Sequence, residues 1–236
     1  DWSSDVCSSD LLKKVSMELG GKSPNIVFDD AHLDNAVKGV ISGIFAATGQ
    51  TCIAGSRLLV QQSIHDQFVD KLVAFARTAR MGDPMSLDTQ VGPVTNKPQF
   101  EKILKYIDIA KGEGAQTLLG GAKASRPECG SGWFVEPTIF GGVKNTMRIA
   151  QEEVFGPVLT LQTFASDDEA VCLANGTDYG LGGVCYGDTA HATAVAQQVR
   201  TGFIWVNSFG IRDLAAPFGG IKRSGVGREG GDWSFE

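Results

Sequence analysis

Closely spaced metal-binding or disulfide-forming residues are missing from this chain of 236 residues, which has only three His and five Cys. The cysteines are odd in number and widely spaced, and no two of them form a CxxC pair: they are Cys7, Cys52, Cys129, Cys172 and Cys185. The sequence therefore predicts neither a disulfide framework nor a metal site. A reducing compartment, the cytoplasm, fits this cysteine usage best.

Long hydrophobic runs and basic clusters are also missing. The most apolar stretch, residues 40–47, is interrupted by Ser42 and Gly43, and it is far shorter than the roughly 18 apolar residues of a membrane helix. Lys and Arg number 21 against 27 Asp and Glu, a formal net charge of −6, and no basic run occurs. Because cationic side chains supply most of the affinity for nucleic acid, we expect neither nucleic-acid nor membrane binding.

The composition that is present, 42% hydrophobic and 20% charged residues, is typical of a globular protein. From Leu12 onward, short β-branched runs alternate with amphipathic helical patterns, which predicts an α/β fold with a largely parallel sheet. Ser63 to Asp66 and Ser166 to Glu169 have the spacing of capping boxes and predict the starts of two helices. The Gly-rich and Pro-rich stretches 112–132 and 217–231 are predicted to be loops.

Residues 1–11 follow neither pattern. They lack the charged and apolar regions of a secretory signal, and their sequence, DWSSDVCSSDL, resembles one translated frame of a common short-read sequencing adapter. We therefore expect the native sequence to begin at about Leu11 or Leu12, and we leave residues 1–11 out of the fold argument. A flexible native N-terminus is the alternative.

Two residues are candidates for catalysis. Cys52 follows an apolar helical pattern and lies among small residues, in AATGQTCIAGS, which would let a substrate approach the thiol. A helix end or backbone amides can activate such a thiol, although a lone cysteine is more often a small core residue. Glu18 ends a strand-like run just before two glycines, at the sheet edge where open α/β sheets bind ligands. The alternative for Glu18 is an ordinary surface glutamate.

A third candidate region is QEEVFGPV, in which Glu153 and Phe155 are two residues apart. In an extended chain both side chains would lie on one side, so the carboxylate could accept hydroxyl hydrogen bonds while the ring stacks on a ligand. A strand edge before a proline turn is the alternative. The glycine-rich run PFGGIKRSGVGRE lacks the strand–GxGxxG–helix order of a dinucleotide fingerprint.

The remaining cysteines and histidines give weaker signals. Cys129 lies in a loop, and Cys172 and Cys185 lie in the apolar patterns of a helix and a strand; we predict that all three are structural or incidental. The three histidines lie near predicted helices without a cysteine nearby in sequence, so a Cys–His hydrolase is disfavoured; they are His32, His65 and His191.

Six motifs occur in order along the chain: MELGGKSP, FAATGQTCIAGS, QEEVFGPV, YGLGG, WVNS and PFGGIKRSGVGRE. Together they resemble the aldehyde dehydrogenase superfamily from Leu12 to the end. The resemblance implies an open, largely parallel sheet with helices on both faces, together with remnants of a Rossmann-like cofactor domain. It implies the end of a cofactor domain at 12–20, a catalytic domain at 21–198 and a return segment to the cofactor domain at 199–236.

The resemblance covers about half of the usual family length. The upstream segments that carry the adenosine phosphates would be missing, and the C-terminal strand used for subunit pairing would be cut after Phe235 and Glu236. We therefore expect a fragment that, alone, binds NAD poorly and turns over little. For the intact enzyme the family implies a homodimer or homotetramer.

The same resemblance implies the chemistry. Cys52 would attack an aldehyde to give a thiohemiacetal, whose hydride passes to the nicotinamide of NAD or NADP, with NAD favoured, leaving a thioester. Glu18 would be the general base for hydrolysis of that thioester. The oxyanion would be bound by the Cys52 amide and by an Asn that lies upstream in the family.

Five residues would bind the cofactor by resemblance. Glu153 would hold the nicotinamide ribose hydroxyls, and Phe155 would lie against the nicotinamide side. Gln99 and Lys102 match weaker ribose contacts, and Leu19 matches a backbone contact to the nicotinamide.

The substrate is indicated by the segment around Arg212. It is most similar to the branch acting on hydroxymuconic-type semialdehydes, where an arginine here would bind a substrate carboxylate, a task suited to a guanidinium. The alternative is an ion pair of Arg212 with Asp213 or another surface acid. Two further alternatives for the protein as a whole are a coenzyme A-acylating dehydrogenase and a non-catalytic binding or structural protein on the same fold.

Overall fold

Strands and helices alternate along residues 15–235, the part of the chain that the computed structural model describes. The predicted adapter-derived segment and Cys7 lie outside the described residues. The strands are β1 (Met17–Glu18), β2 (Pro24–Val27), β3 (Arg57–Gln61), β4 (Gln116–Leu119), β5 (Thr138–Gly141), β6 (Val158–Phe164), β7 (Tyr179–Gly180), β8 (Val184–Tyr186), β9 (Trp205–Val206), β10 (Ile221–Lys222) and β11 (Gly225–Val226). The α-helices are α1 (Leu33–Phe45), α2 (His65–Ala76), α3 (Lys97–Gly112), α4 (Arg148–Gln151), α5 (Asp167–Asn175) and α6 (Thr189–Ala196).

Seven of the described strands form one sheet in the order β4-β5-β6-β3-β2-β8-β9. Every neighbouring pair is parallel except β4 with β5, which is antiparallel at the sheet edge. The crossovers between parallel strands run through helices, as parallel pairing requires. The predicted largely parallel α/β sheet is therefore confirmed.

Helices cover both faces of this sheet. Along β2 and the residue after it, Val27 packs in a core cluster with α1 and α2, whereas Ile26 and Phe28 pack in a second cluster with α5 and α6. A third cluster holds α3 against β5 and α4. Because successive side chains of a strand point to opposite faces, a strand buried on both sides needs a continuous apolar run, which residues 26–28 supply.

One of the two predicted capping boxes is correct. Ser166 caps α5 by accepting a hydrogen bond from the Glu169 amide at 3.3 Å, and the Glu169 carboxylate accepts one from the Ala165 amide at 2.7 Å. The prediction at Ser63 is wrong. A 3₁₀ turn (Gln62–Ile64) precedes α2 there, and the Ser63 hydroxyl donates instead to Asp29 at 3.0 Å.

The predicted loops contain short strands. The stretch 112–132 includes the edge strand β4, and 217–231 includes β10 and β11. β11 pairs with β1, and β10 pairs with β7, each in a two-stranded antiparallel sheet. The glycine-rich run thus joins the MELGG segment to the YGLGG segment. The division of the chain at residues 20 and 199 stays a prediction.

Candidate active site

The Cys52 turn and the MELGG segment that carries Glu18 pack together, with no room for a Cβ between Gly21 and the Cys52 carbonyl. Cys52 is partly buried in the turn after α1, and Glu18 is the last residue of β1. Burial first, and then the hydrogen bond and negative charge of Glu18, raise the pKa of the Cys52 thiol to about 12, while the amides of Ile53 and Cys52 act in the opposite direction. The resting thiol is therefore protonated, with a proton acceptor already in contact.

The turn that carries Cys52 is held by its backbone. After α1, Ala47 and Thr48 adopt positive φ angles of 49° and 57°, and Gly49 follows at 68°. A Cβ on Gly49 would collide with the carbonyl oxygen of Gly156, so only glycine fits. The Thr48 hydroxyl donates to the Gly92 carbonyl at 3.0 Å. This packing brings the Cys52 turn against the QEEVFGPV segment.

Glu153 lies on the other side of the same site. One of its carboxylate oxygens, Oε1, accepts a hydrogen bond from the Gly21 amide at 3.0 Å. A Cβ on Gly20, whose φ is +89°, would collide with the carboxylate. Burial raises the pKa of Glu153, although the Gly21 amide, Lys102 and Lys22 lower it. The two glycines of MELGG thus form the surface on which Glu153 rests.

Phe155 is not extended, so the predicted alignment of Glu153 and Phe155 along one strand side is wrong. Its φ is +56°, in the left-handed region. The amide of Gln99 donates to the carbonyls of Val154 at 2.9 Å and Phe155 at 2.8 Å, which stabilises this turn. The Gln99 side chain therefore supports the backbone of the QEEVFGPV segment. A contact of Gln99 with a ribose stays a prediction.

Lys102 and Leu19 flank the site. The Lys102 amine lies 6.0 Å from the centre of the Tyr106 ring, and its charge lowers the pKa of Glu153. The Leu19 amide donates to the Ser224 carbonyl at 2.9 Å, and its side chain is exposed. Both residues are thus adjacent to groups at the site, and their contacts with a cofactor remain predictions.

Arg212 does not pair with its neighbour Asp213. Its guanidinium lies over the Phe218 ring, 4.7 Å from the ring centre, whereas Asp213 accepts a hydrogen bond from the Ala215 amide at 2.9 Å. The ion pairs within residues 15–235 do not include Arg212. Phe218 in turn contacts Phe203 at 4.9 Å between ring centres. The guanidinium is therefore exposed and available to a ligand.

The other cysteines and the histidines are arranged for structure. Cys185 and Cys129 are buried, whereas Cys172 is exposed on α5 and therefore does not belong to the buried face of that helix, contrary to the prediction from its apolar pattern. His191 contacts Asp30 and Asp167, His65 contacts Asp66, and His32 caps α1.

Among the described residues, no group of three His, Cys, Asp or Glu side chains is arranged to bind a metal ion. Within the same part of the chain, no helix has the length and apolarity to cross a membrane.

Two buried cations were missed by the sequence argument. Arg57 is 1% exposed and donates to three carbonyls, those of Lys22 at 2.8 Å, Leu173 at 2.9 Å and Ala174 at 2.7 Å. Lys22 is 2% exposed, and its amine has no hydrogen-bond partner in the described part of the chain. An arginine opening the otherwise apolar strand RLLV was the available signal for Arg57.

The fold and the site together define an α/β protein in which the candidate residues Glu18, Cys52 and Glu153 lie just before β2, β3 and β6, at the amino ends of parallel strands. The predicted place of Glu18, at the carboxyl end of a strand of the main sheet, is therefore wrong, because β1 pairs with β11 outside that sheet. A model of the aldehyde dehydrogenase family matches residues 5–236. The chain belongs to this family.

Individual relatives agree with this assignment. The chain is 49% identical to a chloroplastic aminoaldehyde dehydrogenase of Arabidopsis thaliana over 98% of its own length and 46% of the relative's. It is 45% identical to a betaine aldehyde dehydrogenase of Bacillus subtilis, with 97% and 47% covered. The structure of a Staphylococcus aureus betaine aldehyde dehydrogenase in complex with NAD+ superimposes with a TM-score of 0.93 at 42% identity, covering 95% of this chain and 45% of that one. The chain spans about half the length of these relatives.

Proposed function

We propose that the protein to which this chain belongs oxidises an aldehyde to a carboxylic acid and uses NAD as the hydride acceptor. The observation that carries the proposal is the close packing of the MELGG segment against the Cys52 turn, which places the Glu18 carboxylate near enough to act on the Cys52 thiol. A protonated thiol is a poor nucleophile, and an adjacent base is the usual means of activating it.

The first step is the transfer of the Cys52 proton to Glu18 as the sulfur attacks the aldehyde carbon. A C–S bond forms, and the carbonyl π electrons move to the oxygen, which takes the proton from Glu18 in the resulting thiohemiacetal, so that Glu18 is a carboxylate again. The amides of Cys52 and Ile53, which act on the sulfur, stabilise negative charge near this centre. A nicotinamide held at this site would supply the hydride acceptor, and the thiohemiacetal hydroxyl would release its proton to solvent as the hydride leaves carbon, leaving a thioester on Cys52.

In the second step Glu18 takes a proton from a water molecule, which attacks the thioester carbon. The C–S bond breaks, the carboxylic acid leaves, and the sulfur regains a proton. Glu18 acts in both steps, and this double use is consistent with its effect on the thiol. Because Glu18 can activate a water molecule, its presence favours release of the acyl group to water over transfer to coenzyme A.

Glu153 is the residue best suited to hold the cofactor. Oε1 accepts from the Gly21 amide at 3.0 Å, so Oε2 is left to accept from ribose hydroxyls, and the absence of a Cβ at Gly20 gives the carboxylate its place. Phe155, Gln99, Lys102 and Leu19 complete the proposed cofactor surface. NAD is favoured over NADP, in keeping with the Staphylococcus aureus relative, whose structure contains NAD+.

The substrate we propose is a semialdehyde that carries a carboxylate, of the hydroxymuconic type. Arg212 is exposed, has no ion-pair partner in the described residues and can bind a carboxylate through two parallel hydrogen bonds. The relatives above are named for aminoaldehydes and betaine aldehyde. Betaine aldehyde carries a quaternary ammonium, which an arginine would repel, so substrate preference separates the two possibilities. We further propose a cytoplasmic homodimer or homotetramer.

The function is tested in a protein that joins this chain to the upstream half present in its relatives. Formation of reduced nicotinamide is followed with NAD and with NADP. We expect turnover with NAD, and Cys52→Ala should abolish it, whereas Cys172→Ala, at an exposed cysteine away from Glu18, should leave it unchanged. A folded protein without turnover for any aldehyde would favour a non-catalytic descendant, and turnover only with coenzyme A would favour the acylating reaction.

The role of Arg212 is tested by Arg212→Ala in the same protein. Loss of a charged bidentate contact should cost about 1.5–3 kcal/mol, roughly 10-fold to 100-fold in kcat/KM for a carboxylated semialdehyde. An uncharged aldehyde should be affected little. Equal losses for both substrates would contradict the carboxylate assignment.

A further inference from the structure

A small cavity lies between the start of β2, Arg57 and the segments 179–182 and 199–201. Its volume is about 10 Å³, the space of one water-sized particle. Its lining includes Lys22, Ser23, Arg57, Tyr179, Arg200 and Thr201. Lys22 and Ser23 follow Gly21, whose amide binds Glu153, so the cavity abuts the segment that carries the proposed base and that contacts the proposed cofactor-binding carboxylate.

Three polar groups of the lining residues are buried and unsatisfied. Within the described residues, the Lys22 Nζ, Ser23 Oγ and Thr201 Oγ1 atoms have no hydrogen-bond partner. Lys22 is 2% exposed and Ser23 is 3% exposed. Burying such groups without partners is costly, especially for an ammonium. All three groups can donate a hydrogen bond, so the cavity is suited to an acceptor.

The charge around the cavity is positive. Lys22, Arg57 and Arg200 line it, and none of its lining residues is acidic. The guanidinium of Arg57 donates to backbone carbonyls alone. Glu152 and Glu153 act on Lys22 from the neighbouring segment, but Glu152 is bonded to Arg148 and Tyr106, and Glu153 to the Gly21 amide. A neutral ligand would therefore leave the Lys22 ammonium without a direct counter-charge.

We propose that this cavity is a binding site for one monatomic anion, chloride in a cell, held by the Lys22 ammonium and the hydroxyls of Ser23 and Thr201. A halide ion accepts hydrogen bonds from all three donors and neutralises the buried charge, and polyatomic anions such as sulfate are too large for the space. The site is independent of the proposed oxidation of aldehydes. Occupation of the site would stabilise the segment of Lys22 and Ser23, which leads into β2.

Binding of the anion should depend on pH. Burial, together with the charge of Arg57, lowers the pKa of Lys22 to about 7, against the opposing effect of Glu153 and Glu152, and Lys102 adds a smaller lowering. Tyr179 and Arg200 are the other titratable groups on the cavity wall. Because the anion pairs with the ammonium form, the apparent Kd should rise about 30-fold between pH 6 and pH 8.5, in proportion to the loss of that form.

The first test is crystallographic and uses the 236-residue chain grown in bromide. We expect an anomalous peak in the cavity, within hydrogen-bond distance of Lys22, Ser23 and Thr201. A peak without anomalous signal would identify a water molecule and overturn the proposal, as would an empty cavity.

The second test measures thermal unfolding in potassium bromide and in potassium sulfate at equal ionic strength. Sulfate stabilises folded proteins non-specifically. The effect of each salt on the parent chain is therefore compared with its effect on the Lys22→Met variant. Bromide should raise the melting temperature of the parent chain at pH 6 more than that of Lys22→Met, and the difference should vanish at pH 8.5. Lys105→Met, at an exposed lysine, is the matched control and should behave as the parent.

A third variant, Thr201→Val, removes one hydroxyl donor without touching the buried charge, and it is used if Lys22→Met does not fold. It should weaken bromide binding at least threefold at pH 6. Equal bromide stabilisation in the parent and in the variants would show an adventitious ion only and would overturn the site.

Discussion

At the scale of single residues, the Glu18 carboxylate has two opposing effects on Cys52. Its hydrogen bond and charge raise the pKa of the thiol, which keeps the sulfur unreactive toward adventitious electrophiles. In the mechanism that we propose, the same carboxylate accepts the proton when a substrate is attacked. The pair would then be a protected nucleophile whose reactivity requires the base rather than a free thiolate.

Glu18→Gln should separate these two effects. It removes the negative charge that raises the pKa of Cys52, so iodoacetamide should alkylate Cys52 faster at pH 8, by roughly tenfold for each unit by which the thiol pKa falls. Aldehyde oxidation should fall in the same variant because the base is lost. The rates are measured by mass spectrometry of the Cys52 peptide.

The exposed thiol of Cys172 provides the internal standard for that experiment, since its alkylation rate should be equal in the parent and in Glu18→Gln. Slower alkylation of Cys52 in the variant would mean that Glu18 activates the resting thiol instead of holding it protonated.

At the scale of elements, the contact between two loops holds the site together. The turn after α1 and the turn before β6 touch through Gly49 and Gly156, with no space for a Cβ between them. The β1–β11 pair has a similar contact, because a Cβ on Gly225 would collide with the carbonyl of Met17. The glycines of the motifs thus serve close backbone packing between segments far apart in sequence.

Gly49→Ala should destabilise the protein by more than Gly114→Ala. Both glycines have positive φ, +68° and +91°, but a Cβ on Gly114 meets nothing within 4 Å. Gly114→Ala should therefore cost only the backbone strain of about 1–2 kcal/mol, and Gly49→Ala should cost this plus the displacement of the Gly156 carbonyl. Urea unfolding measures both free energies, and equal values would contradict the contact.

At the scale of the whole molecule, the sheet brings together segments that are distant in sequence. β2, α5 and α6 meet at one edge of the core, where the His191 ring contacts Asp30 at 2.8 Å and Asp167 at 3.0 Å and packs on Phe28, with ring centres 4.3 Å apart. Hydrogen bonds, first to Asp30 and then to Asp167, raise the pKa of His191 against partial burial.

His191→Gln should cost stability that depends on pH. Because the pKa is raised in the folded state, the ionised ring contributes fully below its unfolded value of about 6.5 and loses its contribution as pH rises through the higher folded value. We expect a loss of about 0.5–1 kcal/mol at pH 6 and a smaller one at pH 9. A double-mutant cycle with Asp30→Asn, followed by urea unfolding, isolates the pair. A pH-independent loss would contradict the assignment.

The class of fold follows from the sequence because strand and helix patterns depend on the local spacing of apolar residues. The apolar run of β2 and the helical pattern of α1 are one example. The family follows as well, since six motifs in fixed order carry it. Ser166 was predicted correctly as a cap because its partners are local. Ser63 has the same spacing but bonds to Asp29, 34 residues away, and spacing along the chain contains no information about that partner.

The sequence by itself determined the fold class, the family and the identity of the candidate nucleophile, base and cofactor residues. Only the tertiary structure decided that the Glu18 segment packs against the Cys52 turn, that Phe155 has a left-handed backbone supported by Gln99, and that Arg212 lies over Phe218 rather than beside Asp213. It also decided that Lys22 and Arg57 are buried. The physical reason is that hydrogen bonds, burial and pKa shifts depend on distances between segments, and those distances are set by the packing of the sheet and helices.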